Sequence, residues 1–130
     1  MRTQLLRDTL EITLASDDAF PATFYARLFA AHPETRELFT RNSAGAMNKK
    51  FAQMLLAFVE NLEDRSWMQR ELPQLVAKHV SYGVTNEMYA WVGDALIATI
   101  AAACGDAWSA EMESAWRECY AALSSEMLSR

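Results

Sequence analysis

Little in this chain can interrupt a helix. Four glycines and three prolines are spread over 130 residues. Alanine, leucine, methionine, glutamate and arginine, all good helix formers, dominate, and valine and isoleucine are scarce. No stretch alternates apolar and polar residues long enough to argue a strand. The chain therefore reads as all-α. At 52% hydrophobic and 22% charged it has ordinary globular composition, and its length fits one domain over residues 1–130.

Apolar spacing and helix signals divide it into about seven helices. Leu6, Leu10 and Leu14 recur every four residues and predict a first helix over 3–15. Asp17 or Asp18 offers a cap for a second, with Pro21 in its opening turn. That helix carries Phe24, Tyr25, Leu28 and Phe29 and stops near His32, because Pro33 disfavours helical geometry in the residue before it. A short helical turn spans 33–39, followed by a polar loop at 40–45. Met47, Phe51, Leu55, Phe58 and Leu62 predict a long helix over 46–62. A charged connector at 63–65 leads to Ser66, a cap for the next helical stretch, and Pro73 suits the start of a run over 73–82 that Gly83 ends. Thr85 or Asn86 caps a helix over 87–104. Gly105 and Asp106 turn the chain into a last helix over 109–128, packed through Met112, Trp116, Tyr120, Leu123 and Met127.

Charge and composition exclude several function classes. Seventeen acidic residues against 12 basic ones give a net charge of -5, the wrong sign for a phosphate-backbone binder. No apolar run approaches the roughly 18 residues of a membrane span; the longest, 95–104, is alanine-rich and broken by Thr99. The amphipathic start, MRTQLLRDTLEITL, lacks a secretory apolar core, so the expectation is a cytoplasmic protein. Cys104 and Cys119 then read as small buried hydrophobes in a reducing compartment.

Few residues can carry chemistry. There are two histidines and no zinc-type cysteine spacing, P-loop or dinucleotide fingerprint. His79 shares a helical stripe with Leu72, Leu75 and Tyr82. It reads either as a hydrogen-bonded core histidine or as the axial ligand of a haem iron. His32, at a helix end beside Pro33, reads as a partner for free carbonyls and the helix dipole. Tyr25 is either a core tyrosine bonded to a carbonyl or a donor to a small ligand. Met47 is a gap-filling core residue or a pocket residue, and Lys50 is a solvated first-turn lysine or a cation for a carboxylate such as a haem propionate.

Three segments carry a family resemblance. FYARLFAAHPETRELF, residues 24–39, is similar to the second and third helices of bacterial globins. AKHVSYGVTNEMYAWVGDALIATI, residues 77–100, resembles the proximal-histidine segment of globins of the flavohaemoglobin and Vitreoscilla haemoglobin type. GDAWSAEMESAWRECYAAL, residues 105–123, resembles that family's last helix. The order and spacing match along essentially the whole chain. The resemblance implies a globin fold packed around a haem b pocket, with His79 as the iron ligand. It maps Tyr25 to the distal tyrosine that donates to bound oxygen and Phe39 to the aromatic wedged against the porphyrin. Tyr89 and Lys78 match residues near the proximal histidine, and Phe51, Leu55 and Leu75 would supply apolar walls.

The sequence also departs from that pattern. The loop after Phe39 is about two residues shorter, and the segment before Tyr25 is shorter too. Met47 occupies the usual distal glutamine position and Phe51 a position usually held by leucine, giving a more apolar distal side. The last-helix glutamate that bonds the proximal histidine in the family would fall about one residue past Arg130, and the expectation is a globin domain without the flavin and nicotinamide domains of flavohaemoglobins. The resemblance thus implies a carrier or store that binds O2, NO or CO at a five-coordinate ferrous iron, as a monomer or homodimer. Its alternatives are a nitric oxide dioxygenase served by a separate reductase, a redox or gas sensor with Met47 or Lys50 as internal sixth ligand, and a haem-free interaction domain.

Overall fold

The computed structural model describes residues 2–16, 19–39, 44–81 and 84–128, and within these the side chains of residues 38, 39, 44–49 and 79–81 lie outside the description. Every regular element among the described residues is helical. Six α-helices succeed one another: α1 (Thr3–Ser16), α2 (Phe20–Ala31), α3 (Ala44–Glu60), α4 (Arg65–Ser81), α5 (Asn86–Cys104) and α6 (Ala110–Leu128). Two 3-10 segments, Pro33–Phe39 and Gly105–Ala107, link α2 to α3 and α5 to α6.

Each helix begins or ends for a local reason, and two reasons differ from expectation. The residue capping α2 is Ala19, with no side-chain bond; Asp17 and Asp18 lie outside the described residues. Pro21 does open α2. The cap of α4 is Asp64 and not Ser66: its Oδ1 accepts the Trp67 backbone N–H at 3.0 Å, which satisfies one orphan donor of the first turn. Helix α4 therefore starts at Arg65, and Pro73 sits within it rather than opening it. The proline takes the ladder donor away from the Gln69 carbonyl, yet its ring lies on the exposed face, so the helix continues. Gly105 ends α5 at φ 55, a left-handed value that favours glycine.

Helix α5 is the hub, packed on α1, α2 and α6. Ile97 and Ile100 meet Leu6 and Leu10 of α1, Phe20, Phe24 and Leu28 of α2, and Ala115 and Trp116 of α6 in one buried cluster. Burying each such large side chain contributes about 1.5–3 kcal/mol. The stretch Asn86–Ala107 is long and apolar enough to cross a membrane, but it is this partly buried core helix. The stripe of α1 differs in one respect: Leu14 is half-buried, while Thr9 and Thr13 are fully buried. Their hydroxyls donate to the carbonyls of Leu5 at 2.6 Å and Thr9 at 2.9 Å, which removes the cost of burying them. Both cysteines are buried free thiols, as expected.

A smaller cluster lies between α3, α4 and α6. Phe58, Leu72 and Met127 are buried there, and Met54, Trp67, Leu75, Val76, Tyr89 and Leu123 lean on it half-buried. The connector between α3 and α4 is pinned to α1: Arg7 donates to the Glu60 carbonyl at 3.1 Å, and Thr3 Oγ1 to Glu63 Oε1 at 2.8 Å. At that end Trp67 meets Phe58 edge-on at 5.0 Å.

Candidate functional site

The site expected from sequence involves α2, α3, α4 and the start of α5. On α2, Phe24 and Tyr25 are consecutive, so one ring enters the core while the next faces its edge. Phe24 stacks on Phe51 of α3 at 4.5 Å and 4°. Tyr25 lies 5.6 Å from the same Phe51 ring, tilted by 58°, and 6.0 Å from Phe29. Offset aromatic contacts of this kind fix ring orientation. The phenol of Tyr25 is pushed up to about 12 by desolvation. It stays a neutral O–H, hence a hydrogen-bond donor, throughout the physiological range.

Phe51 and Leu55 lie along α3 on the side packed toward α2, both half-buried. Leu75 of α4 and Tyr89 of α5 are half-buried in the smaller cluster. Residue 79 lies one turn beyond Leu75 in the same helix; its side chain is outside the described ones. The same holds for the side chains of Phe39, at the end of its 3-10 segment, and Met47, in the first turn of α3, and Tyr82 lies wholly outside the described residues. Lys50 and Lys78 are exposed, near the start of α3 and the end of α4, opposite the pinned connector. Phe51, Leu55 and Tyr25 thus belong to the edge of the main core, and Leu75 and Tyr89 to the smaller cluster.

These residues fit a haem. A planar apolar macrocycle needs apolar walls that keep accessible surface, and Phe51 and Leu55 at the edge of the main core and Leu75, Val76 and Tyr89 of the smaller cluster are all half-buried. Carboxylate groups on such a ligand need cations nearby, and Lys50 and Lys78 are exposed on the two helices α3 and α4. Sequence reasoning missed Met54, Trp67, Met68 and Val76. Register could have found Met54, four residues before Phe58, and Val76, four after Leu72; Trp67 and Met68 were hidden by the misplaced start of α4. His32 does sit at the end of α2, its backbone N–H bonded to the Leu28 carbonyl. Its ring, however, lies flat on Trp91 of α5 at 4.0 Å and 8°, with Nδ1 3.7 Å from Glu34. It ties the corner before the Phe39 segment to the hub helix.

Comparison with known proteins bears on the same elements. The family model described as Globin matches residues 22–127. The flavohemoprotein of Bordetella pertussis is 30% identical over 128 residues, covering 97% of this chain and 32% of that protein. That of Rhizobium meliloti is 35% identical over 99 residues, covering 75% and 25%. The chain thus spans about a third of the length of these curated relatives. Among solved structures, an engineered carbene transferase made from a proposed nitric oxide dioxygenase of Rhodothermus marinus superposes with a TM-score of 0.83 at 29% identity, covering 96% of this chain and 87% of that one. A bacterial globin from Campylobacter jejuni superposes at 0.82, with 22% identity and 98% and 91% coverage, a likeness of fold.

Proposed function

This chain belongs to the globin family and is a haem globin, and from that premise we propose that it holds haem b through His79 and binds O2 reversibly, with NO and CO as further ligands, in oxygen transport or storage. The observation that carries the reading is Tyr25, a phenol kept neutral by burial and set among Phe24, Phe29 and Phe51. Haem supplies a ferrous iron able to take a diatomic gas on the side away from its protein donor. Tyr25 is the chain's donor toward such a gas. In an apolar surrounding its hydrogen bond is worth more than in water.

The remaining roles rest on the same placement. Phe51, Leu55 and Leu75 exclude water and bear on the faces of the group; Phe39, Tyr82 and Tyr89 complete its contacts. Lys50 and Lys78 neutralise its carboxylates. Met47 takes the distal position where the family pattern has a glutamine, leaving Tyr25 as the chief donor. The reading is of a cytoplasmic protein, monomer or homodimer, whose ligands are gases.

The kinship with flavohemoproteins and the Rhodothermus protein favours one other reading, nitric oxide dioxygenation with a reductase supplied as a separate protein. Optical spectra of the ferric, ferrous and O2-exposed protein separate the two. A carrier gives a five-coordinate ferrous form and a persistent O2 form, whereas a dioxygenase turns NO over rapidly once a reductase is added. A six-coordinate ferrous spectrum would instead assign Met47 or Lys50 as internal ligand. His79→Ala is expected to abolish the Soret band. Tyr25→Phe is expected to speed O2 release by roughly tenfold or more, since a hydrogen bond to a charge contributes about 1.5–3 kcal/mol; an unchanged off-rate overturns the donor role.

A further inference from the structure

Three rings surround the phenol of Tyr25, and they hold it differently. Phe51 of α3 meets it at 5.6 Å and Phe24 at 5.0 Å, each tilted by 58°. Phe29 lies 6.0 Å away at 23° and of the three comes nearest to parallel. Tyr25 and Phe29 are one turn apart, so they share a face of α2. A stacked neighbour limits how far a ring can rock.

Phe29 is itself half-buried, so the main core does not enclose it. Part of its cover comes from the 3-10 segment. The Arg36 guanidinium carbon stands 5.4 Å from the centre of the Phe29 ring, within reach of a cation–π attraction. The backbone is anchored just before that residue. Thr35 is buried; its Oγ1 donates to the His32 carbonyl at 2.7 Å, and its backbone N–H donates to the same carbonyl at 3.0 Å. The His32 ring in turn rests on Trp91 of the hub helix. Arg36 is exposed, whereas Phe29 and Tyr25 are half-buried. Guanidinium, phenyl ring and phenol thus form a contact series whose solvent end is a cation on an anchored segment.

The aim of a hydroxyl matters because a hydrogen bond weakens steeply as it bends. The hydroxyl sits at the far end of the tyrosine side chain, so a small rocking of the ring moves it furthest.

We infer that Arg36 is a positioning residue for gas binding: its guanidinium, held over Phe29, braces the stacked pair of Phe29 and Tyr25 and so sets where the Tyr25 hydroxyl points. The inference rests on Tyr25 being the donor to bound O2. It brings the segment Pro33–Phe39 into the gas-binding machinery through a side chain that acts only by way of two others.

The test is a double-mutant cycle on the haem-loaded ferrous protein, built from Arg36→Met, Tyr25→Phe and the two combined. Release of O2 and of CO is timed for each. Arg36→Met keeps a long apolar stem and removes the charge. Bound O2 accepts a hydrogen bond far better than bound CO does, so a misaimed donor shows in O2 release and a loosened fold in both. The expected result is O2 release about two- to fivefold faster in Arg36→Met, the worth of an exposed cation–π contact, with CO release unchanged. In the Tyr25→Phe background the same change should leave O2 release where it was. Phe29→Leu, which takes the ring out of the series, should also speed O2 release, and Arg36→Met should then add nothing to it.

Unchanged O2 release in Arg36→Met, an equal speeding of CO, or an effect that persists without the Tyr25 hydroxyl overturns the inference. A parent that forms no O2 complex, or one whose O2 release is the same in Tyr25→Phe, overturns the donor reading and this inference with it. Faster O2 release in Tyr25→Phe with none in Arg36→Met overturns the inference alone.

Discussion

Leu6, Phe20 and Ile100 are fully closed to solvent in the part built by α1, α2, α5 and α6, whereas Leu75, Val76 and Tyr89, between α4 and α5, keep part of their surface open. The first region is packed by large side chains from four helices, and its buried threonines Thr9, Thr13 and Thr99 are satisfied internally by carbonyls one turn back, while the Trp116 Nε1–H is buried without a partner among the described residues. The second has three buried side chains and a rim of half-buried ones. Apolar surface left open costs about 25 cal/mol for each Å² not removed from water. The contrast teaches that most of the fully buried side chains lie in the first region, and it is the second region that the proposed haem would complete.

Filling the second region should give the largest effect. Haem at about a thousandfold excess over its dissociation constant should add about 4 kcal/mol to stability, and amide exchange should slow more in α3 and α4 than in α1 and α2. Equal slowing everywhere would erase the distinction between the regions. Next come truncations. Phe24→Ala, in the sealed region, should cost about 3–5 kcal/mol, and Leu75→Ala, in the haem-free chain, only about 1 kcal/mol. Urea unfolding of both variants measures this, and a Leu75→Ala cost matching that of Phe24→Ala would mean that the second region is already closed.

Alkaline pH probes the boundary between the regions, where Tyr25 stands. Its folded phenol lies at about 12, above the unfolded value of 10.0. Folding therefore favours the neutral form. That contribution is fully present below about pH 10 and is lost as pH rises toward about 12. Tyr25→Phe should flatten this decline without removing it, because burial also raises Tyr120. Urea midpoints tracked from about pH 9 to about pH 11 give the comparison; identical profiles would mean that Tyr25 is solvated. The smallest effect belongs to the exposed rim of the α5–α6 crossing. Arg117 donates to Asp94 at 2.8 Å with both side chains more than half exposed, so Arg117→Ala should change stability by about 0–1 kcal/mol.

Much of this was legible in the sequence, for reasons visible at single positions. Leu6 and Leu10, Phe24 and Leu28, and Trp116 recur at helical spacing, and each is buried. His32 before Pro33 and Gly105 before Asp106 mark the ends of α2 and α5. The motif around Phe24 and Tyr25 led to the family to which the chain belongs. The boundaries of α4 were misread because Asp64 and Ser66 are both competent caps, and a proline suits either the first turn or an exposed interior face.

What the sequence determined by itself is local: which segments coil and which of their faces are apolar, because helical bonds and side-chain stripes join residues only three or four positions apart. What the tertiary structure decided is which faces meet and how closely. Only there do the buried threonines of α1, the His32 ring on Trp91 and the Tyr120 hydroxyl beside Gly93 acquire their partners. Those partners are set by helix crossings between residues distant in the chain, and no periodicity within one helix encodes a crossing.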